Sequence, residues 1–275
     1  MPFNLRRPAV AGSFYPGDKD ALKVMMDGFI EPHLDEKVIP GEILGMIVPH
    51  AGYIYSGKTT GIAFSRLRSS KVKRFVIIGP NHASFPPYSA LYPSGQWNTP
   101  LGNVTVDESL GKRIKEHYSG ITSDPAAHTH EHSLEVQVPF LQYLLGNDVT
   151  ITPIIMGRQT QDEAHKVAQA LLKMDEQFIV IASSDLNHYE NLDITTMKDR
   201  LLLDAILRLD VEKFYHVLQE NDISACGYAP IAIMMEYTKE KGGKLDLLEH
   251  TTSFDYSGDN RNVVGYCSIM SSRQP

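Results

Sequence analysis

Residues 178–188 read FIVIASSDLNH, an apolar run that ends in a polar one. The run from Phe178 to Ala182 is typical of a strand that is buried on both faces of a parallel sheet. Further strands are predicted from four similar apolar runs: Ile43–Val48, Arg74–Ile78, Val149–Met156 and Val263–Met270. Pro153 lies inside one of them and predicts a bulge or an edge position there, since proline lacks the N–H that a central strand donates.

Helical patterns alternate with these strands. Apolar residues at helical spacing predict helices at Gly57–Leu67, Ser133–Leu145, Thr160–Met174, Arg200–Leu209, Val211–Gln219 and Pro230–Lys241. Thr160 and Glu163 have the spacing of a capping box at the start of one helix. The alternation predicts an α/β fold, a single domain over residues 1–275 with a central mixed, largely parallel sheet flanked by helices. Ser84–Asp107 is rich in Pro, Gly and Tyr and predicts a long functional loop.

Composition excludes several classes of protein. The 275 residues carry a net charge of −7, which disfavours a protein that binds nucleic acid phosphates. A chain of this mass buries roughly 70–75% of its unfolded surface, so no disulfide framework is needed. The sequence has no leader-like apolar stretch, no membrane-length apolar segment and two cysteines, which predicts a cytoplasmic protein.

Three of the predicted strands run into a histidine. His50 follows the strand at Ile43–Val48, His82 follows Arg74–Ile78, and His188 follows Phe178–Ala182. Ligands of open α/β sheets bind beyond the carboxyl ends of the strands. The three histidines therefore predict a metal site or an acid/base site at that edge.

Asp185 stands three residues before His188 and has several possible roles. Its carboxylate is suited to bind a metal, or to orient His188 by holding one ring nitrogen. Alternatively, Asp185 or Ser184 caps the next helix.

Another histidine cluster and a cysteine add candidates. For His128 and His130 we expect a solvated polar loop, whereas His132 begins an amphipathic helix together with Glu131 and Glu135. Acidic residues favour a helix N-terminus, which is a structural reason for both glutamates.

Cys226 directly precedes the predicted helix Pro230–Lys241, and a helix N-terminus lowers a thiol pKa and suits it as a nucleophile or metal ligand. The alternative for Cys226 is a buried apolar residue, and Cys267, inside a strand pattern, is expected in the core. Signatures of nucleotide-binding loops, zinc proteases, α/β-hydrolases and CxxC sites do not occur in the sequence.

Several motifs resemble the Memo family. They are, in chain order, RPAVAGSFYP (7–16), PHAGY (49–53), GPNH (79–82), EHSLE (131–135), SSDLNH (183–188) and Cys226-Gly227. The resemblance covers essentially the whole chain. It implies a fold like that of the class III extradiol dioxygenases, whose non-haem Fe(II) is held by two histidines and a carboxylate.

The resemblance also implies a metal site. Carried over by motif, His50, His82 and Cys226 bind the metal, and Asp185 and His188 are the catalytic residues beside it. The same motifs place three further residues near the pocket as substrate or supporting residues: His132, Tyr53 and Asn81.

The sequence departs from the dioxygenases at the third ligand, where Cys226 stands in place of a carboxylate. A thiolate favours Zn, Cu(I) or thiolate-tolerant iron, and it is itself oxidisable beside O₂. Asp185 is the carboxylate that would replace or supplement it. Fe(II) is the expected cofactor, with copper or zinc as alternatives.

Three functions are compatible with these residues. The first is a metal-dependent oxidoreductase of the Memo family. The second is a non-catalytic module with a dioxygenase-like cleft that binds a peptide or another partner, and the third is a Zn-dependent hydrolase. The ligand is expected to be a small molecule or a peptide. The resemblance implies a radical-SAM protein as a functional partner. The composition predicts no binding to nucleic acid or membrane.

Overall fold

The structure is a computed structural model that describes residues 5–35, 41–82 and 88–274. Its twelve described strands form one sheet. They are β1 (Leu5–Arg6), β2 (Glu42–Val48), β3 (Arg74–Pro80), β4 (Ser89–Leu91), β5 (Gln96–Thr99), β6 (Gly102–Val106), β7 (Ile121–Ser123), β8 (Thr150–Met156), β9 (Ile179–Ser183), β10 (His188–Glu190), β11 (Lys244–Thr252) and β12 (Val263–Arg273).

Helices lie between most of these strands. The α-helices of the described ranges are α1 (Lys19–Ile30), α2 (Tyr53–Ser65), α3 (Glu108–His117), α4 (Val138–Leu145), α5 (Gln161–Leu172), α6 (Leu192–Leu207), α7 (Val211–Glu220), α8 (Tyr228–Glu240) and α9 (Phe254–Ser257). Short 3₁₀ turns occupy Glu31–His33, Ala126–His128 and Glu135–Gln137. Within the described ranges, no helix is long and apolar enough to cross a membrane.

The centre of the sheet is parallel. Strands β8, β3, β9 and β2 are neighbours in that order and all run in the same direction, and β12 continues the sheet antiparallel to β2. The predicted fold class, a mixed and largely parallel α/β sheet flanked by helices, is confirmed. In the register, Val48 pairs with Ser183 and Ile78 with Ala182, so β2, β3 and β9 end at the same level.

The buried strands send alternate side chains to two cores. Val76, Ile78 and Val180 pack on the face covered by α5, α6, α7 and α8. Ile77 and Ile181 pack on the opposite face, against α1, α2 and α4. Successive side chains of a strand point to opposite faces, which is why these strands read as continuous apolar runs.

Pro153 contradicts the predicted bulge or edge position. It lies in the interior of β8 and pairs in regular register with Ile77 of β3. On its other side β8 pairs first with β6, through Thr150 and Ile151, and then with β4, through Ile154 and Ile155. Proline is tolerated because it stands where one partner strand gives way to the next.

Two other expectations are corrected. The predicted loop Ser84–Asp107 contains β4, β5 and β6 where the structure describes it, while residues 83–87 lie outside the described ranges. The helix predicted at Ser133–Leu145 is a 3₁₀ turn at Glu135–Gln137 followed by α4. The predicted cap of α5 is confirmed, because the Thr160 side chain accepts a hydrogen bond from the Glu163 backbone N–H.

Candidate metal centre

Because β2, β3 and β9 end at the same level, the residues that follow them and were predicted to form a site lie close together. His50 stands two residues after β2, His82 two residues after β3, and Asp185 two residues after β9. Cys226 stands two residues before α8. The side chains of these four residues lie close together at the carboxyl edge of the sheet, as the distances below show.

His50 is the residue that two candidate metal-binding groups share. One group consists of His50, Asp185 and Cys226, and the other of His50, His82 and His132. Within each group the potential ligand atoms lie within 4.8 Å of one another. The trio His50, His82 and Cys226 is therefore divided between two groups, and His132 joins His82.

The hydrogen bonds of Ser183 determine which nitrogen of His50 is available. The Ser183 hydroxyl donates to the Ser133 carbonyl at 2.7 Å and accepts from the Gln137 amide at 2.9 Å. Because its one hydrogen is already used, it accepts from His50 Nδ1, 3.0 Å away. The lone pair of His50 is then on Nε2, which faces the Sγ atom of Cys226 at 3.0 Å.

Burial keeps this imidazole neutral. His50 is 2% exposed. Burial, followed by the nearby His82 and His132, holds the pKa of His50 well below its ordinary value. A neutral imidazole nitrogen is the form that binds metals.

The Cys226 thiol is held close to β9. Its Sγ accepts a hydrogen bond from the Asp185 backbone N–H at 3.3 Å. Burial, and then the Asp185 carboxylate, raise the pKa of Cys226 well above its usual value. The helix N-terminus had predicted a lowered pKa, whereas burial, the largest cause, raises it for this cysteine.

Gly227 permits this close approach. A Cβ atom at residue 227 would lie 2.5 Å from the Ser183 carbonyl oxygen and 2.7 Å from Ser184 Cβ. The Gly227 N–H donates to the Ser184 hydroxyl at 2.9 Å. Any side chain here would push Cys226 away from the site.

Asp185 is tied to the backbone of the His50 loop. Its Oδ1 atom accepts the His50 backbone N–H at 2.8 Å, and its side chain is buried. Burial raises the pKa of Asp185, opposed by His188 and the backbone N–H of His50. The capping alternative is wrong, because the next helix, α6, is capped by Asn191.

His188 is oriented by Ser224 rather than by Asp185. Its Nδ1 lies 2.9 Å from the Ser224 carbonyl oxygen, and its backbone N–H donates to the Ser224 hydroxyl at 2.9 Å. A carbonyl accepts only, so Nδ1 carries the hydrogen and Nε2 is a proton acceptor. His188 also lies near enough to lower the pKa of His50 and to oppose the raised pKa of Asp185.

His82 and His132 flank a buried glutamate. His82 Nδ1 lies 3.1 Å from Glu131 Oε1, and the His82 backbone N–H donates to Glu131 Oε2. His132 Nδ1 lies 3.5 Å from the same Oε1. Burial opposes ionisation of Glu131, but hydrogen bonds from His82 and from the Ser133 N–H keep its pKa below the usual range.

The remaining candidates lie around the centre or outside it. Tyr53 is buried in the core and donates its hydroxyl to the Val136 carbonyl at 2.6 Å. Asn81, next to His82, is half-buried, and its Oδ1 has no hydrogen-bond partner among the described residues. The solvated loop expected at residues 128–130 is correct for His130, which is exposed, and wrong for His128, which is fully buried. Cys267 is buried in the core, as expected.

Sequence reasoning missed Glu131, Ser183 and Ser224 as site residues. Glu131 was explained by the helix dipole, although its position directly before His132 was a signal of contact with the cluster. Gly79 also makes its position possible, since a Cβ there would lie 2.7 Å from both Leu134 Cδ1 and Ser133 Oγ. This close approach sets the segment 131–134 against the end of β3.

Comparisons with known proteins agree on one family. The model for the family described as "Memo-like protein" matches residues 6–270. The MEMO1 family protein Ta0237 of Thermoplasma acidophilum is 45% identical over 266 residues, which cover 97% of this chain and 98% of that protein. TV1383 of Thermoplasma volcanium is 42% identical, covering 98% of this chain and 99% of that protein. A relative from Sulfolobus acidocaldarius is 39% identical, covering 96% of this chain and 98% of that protein.

One solved structure shares the fold. The uncharacterized protein JW3007 from Escherichia coli K12 superposes with a TM-score of 0.55 over 83% of this chain and 99% of its own. At 12% identity this likeness concerns the fold alone.

Proposed function

The chain belongs to the Memo-like family, and on that premise we propose that it is a metal-dependent oxidoreductase whose centre holds iron, with copper as the alternative metal. The observation that carries the proposal is the convergence of His50 Nε2 and Cys226 Sγ, 3.0 Å apart at the carboxyl edge of the sheet. His82, His132 and Asp185 each offer a potential ligand atom within 4.8 Å of one on His50.

The residues present fit a metal ion of intermediate softness. His50 offers a neutral nitrogen, Cys226 a sulfur and Asp185 a carboxylate oxygen, all within 4.8 Å of one another. Imidazole suits Fe, Cu and Zn, and thiolate selects Cu(I), Zn or iron bound by sulfur. A site for Mg²⁺ or Ca²⁺ would be built from oxygen ligands, so the donor set disfavours those cations.

The chain's own residues supply positioning and proton transfer. Bound iron or copper would supply one-electron chemistry and a Lewis acid at the open coordination positions. Ser183 fixes the ring of His50, and Asp185 fixes its backbone. His188 accepts or returns a proton at Nε2, with Nδ1–H held by the Ser224 carbonyl.

The His82 side chain is 33% exposed, compared with 1% for its partner Glu131, so the centre opens to solvent on the His82 side. A small molecule or a peptide side chain would enter from this side. The sulfur of Cys226 stands where the ring-cleaving dioxygenases have a carboxylate, so we propose redox chemistry on a substrate other than a catechol ring.

Metal analysis tests the proposal. The protein is isolated anaerobically and its metal content is measured for wild type, His82→Ala and Cys226→Ser. We expect stoichiometric iron or copper in wild type and a lower metal content in both variants. His216→Ala and Cys267→Ala are the matched controls, since His216 is exposed on α7 and buried Cys267 belongs to neither candidate metal-binding group. Equal, near-zero metal in all five proteins would contradict the proposal.

A zinc hydrolase is the second candidate, and the group His50, His82 and His132 favours it. Three histidines with an open position are one of the ligand sets of catalytic zinc, whose bound water ionises near pH 7. Stoichiometric zinc in the native protein, with no iron or copper, would support this candidate over the first.

A further inference from the structure

Glu131 contacts both solvent-side histidines through one oxygen. Its Oε1 atom lies 3.1 Å from His82 Nδ1 and 3.5 Å from His132 Nδ1, and it accepts the Ser133 backbone N–H at 2.8 Å. The side chain of Glu131 is 1% exposed, so water does not screen these contacts.

The hydrogen bonds of Glu131 indicate which nitrogen of each ring carries the hydrogen, because both of its oxygens already accept backbone N–H groups, Oε1 from Ser133 and Oε2 from His82. An ionised carboxylate only accepts hydrogen bonds, and a ring nitrogen lone pair facing it would be repelled. Nδ1 of His82 therefore carries hydrogen, and hydrogen on Nδ1 is also the form of His132 that is attracted to the same oxygen, 3.5 Å away. The lone pairs of His82 and His132 are then on their Nε2 atoms, on the opposite side of each ring from Glu131.

The two rings form a pair beside His50. The ring centroids of His82 and His132 are 4.7 Å apart and the rings are stacked at 27°. Each ring meets His50 edge-on, at 5.0 Å for His82 and 5.5 Å for His132. One ligand nitrogen of each ring lies within 4.8 Å of the others.

His132 is also held from its other side. The Phe14 ring packs against it with a centroid distance of 4.6 Å. Phe14 is fixed in turn, because its carbonyl accepts the Tyr53 backbone N–H at 2.8 Å. The Ser133 hydroxyl donates to the Pro80 carbonyl at 3.0 Å and joins this segment to the end of β3. The His132 ring is thus preorganised before any ligand arrives.

We propose that Glu131 is a positioning residue that fixes His82 and His132 with hydrogen on Nδ1, and that His132 is thereby a third imidazole donor to the metal. The centre then has three nitrogen donors in one group, His50, His82 and His132, and Cys226 shares His50 through the other group. This proposal rests on the proposed function, since it concerns the ligands of the same centre. It differs from the family resemblance in making His132 a ligand instead of a neighbour.

The first test needs no metal. Histidine labelled with ¹⁵N is introduced into metal-free protein, and long-range ¹H–¹⁵N correlation spectra identify the nitrogen that carries hydrogen in each ring. His82→Gln and His132→Gln assign the signals. We expect Nδ1–H for both rings in wild type. An Nε2–H form of either ring would overturn the proposal, whether or not the protein binds metal.

The second test measures affinity. Zn²⁺ binding is measured for wild type, His132→Gln and Glu131→Gln, and Co²⁺ absorption reports the coordination. Loss of a residue that orients a metal ligand typically costs about 10- to 100-fold in affinity. We expect a loss of at least that size in both variants, with a changed Co²⁺ spectrum in His132→Gln.

Glu163→Gln is the matched control. Glu163 is also a buried carboxylate, it accepts from Ser89 and Tyr118, and it belongs to neither candidate metal-binding group. Its variant should bind Zn²⁺ like wild type. Wild-type affinity and spectrum in His132→Gln would overturn the proposal while leaving the proposed function intact. A wild-type protein that binds neither ion, and holds no iron or copper when isolated anaerobically, would contradict the proposed function, and with it the ligand role of His132.

Discussion

His50 Nε2 and Cys226 Sγ lie 3.0 Å apart, although 176 residues separate them in the chain. Two features of the fold produce this contact. The parallel register ends β2 and β9 at the same level, and Gly227 lets the loop before α8 lie against Ser183 and Ser184. The following predictions test the structural parts of this arrangement.

Gly227→Ala should weaken metal binding without unfolding the protein. The new Cβ would meet the Ser183 carbonyl oxygen at 2.5 Å, so the loop must shift and carry Cys226 with it. We expect a loss of about tenfold or more in Zn²⁺ affinity, as for other disturbances around a ligand, measured by competition with a chelator. Gly28→Ala is the control, because nothing lies within 4 Å of its added Cβ. In helix α1 this change should raise the free energy of unfolding by about 0.5–1 kcal/mol and leave affinity unchanged.

Ser183→Ala should reduce affinity by about 10- to 100-fold. The change removes the acceptor for His50 Nδ1–H and for the Gln137 amide, so the ring is no longer fixed. Isothermal titration with Zn²⁺ measures the effect. Ser268→Ala is the comparison, since Ser268 is also fully buried in a strand but its hydroxyl has no hydrogen-bond partner among the described residues. Equal affinities in the two variants would argue against a role for Ser183 in holding His50.

Arg6→Ala should destabilise the protein strongly. Arg6 and Glu135 form a buried ion pair, with side chains 3% and 1% exposed. Glu135 also accepts the Ala9 and Val10 N–H groups and the Tyr15 hydroxyl. Removing one partner of a buried ion pair typically lowers the free energy of unfolding by about 3–5 kcal/mol. Urea denaturation measures this loss. The exposed pair of Arg208 and Asp204 provides the contrast, because Arg208→Ala should cost less than about 1 kcal/mol.

His128→Gln should flatten the pH dependence of stability on the acid side. Burial, and then the nearby Arg6, lower the pKa of His128 to about 3, while in the unfolded chain it has its ordinary value of 6.5. Below pH 6.5 the unfolded state therefore binds a proton that the folded state does not, so stability falls as pH falls from 6.5 toward 3.

Between pH 6.5 and 5 this linkage costs wild type about 2 kcal/mol. The loss should be absent from the stability curve of His128→Gln, measured by urea denaturation at a series of pH values. His130→Gln, which changes an exposed histidine two residues away, should keep the wild-type slope. If the free energy of unfolding of His128→Gln fell with pH as steeply as that of wild type, the lowered pKa of the buried His128 would be contradicted.

The sequence predicted the parts of the fold that depend on local pattern. Apolar runs identified β2, β3, β8, β9 and β12, and the polar residues after three strands indicated His50, His82 and His188. The strand predictions succeed because each run is buried on both faces of the sheet. The histidines after β2 and β3 lie close together, since parallel strands of one sheet end at the same edge.

The parts that depend on contacts between distant segments were not predictable. Glu131 reaches His82 because Gly79 admits the segment 131–134, and spacing along the chain does not reveal this. Ser224, not Asp185, holds His188, since two loops 36 residues apart meet there. His128 is buried because the Ala90 carbonyl binds its Nε2, a contact with a strand that sequence patterns had assigned to a loop.

X-ray absorption at the metal edge of anaerobically isolated protein tests the central claim most directly. The account predicts imidazole nitrogen ligands together with a sulfur ligand at about 2.3 Å, the distance known for zinc thiolates, and loss of the sulfur contribution in Cys226→Ser. A bound metal whose spectrum contains only nitrogen and oxygen ligands, and is the same in Cys226→Ser, would contradict it.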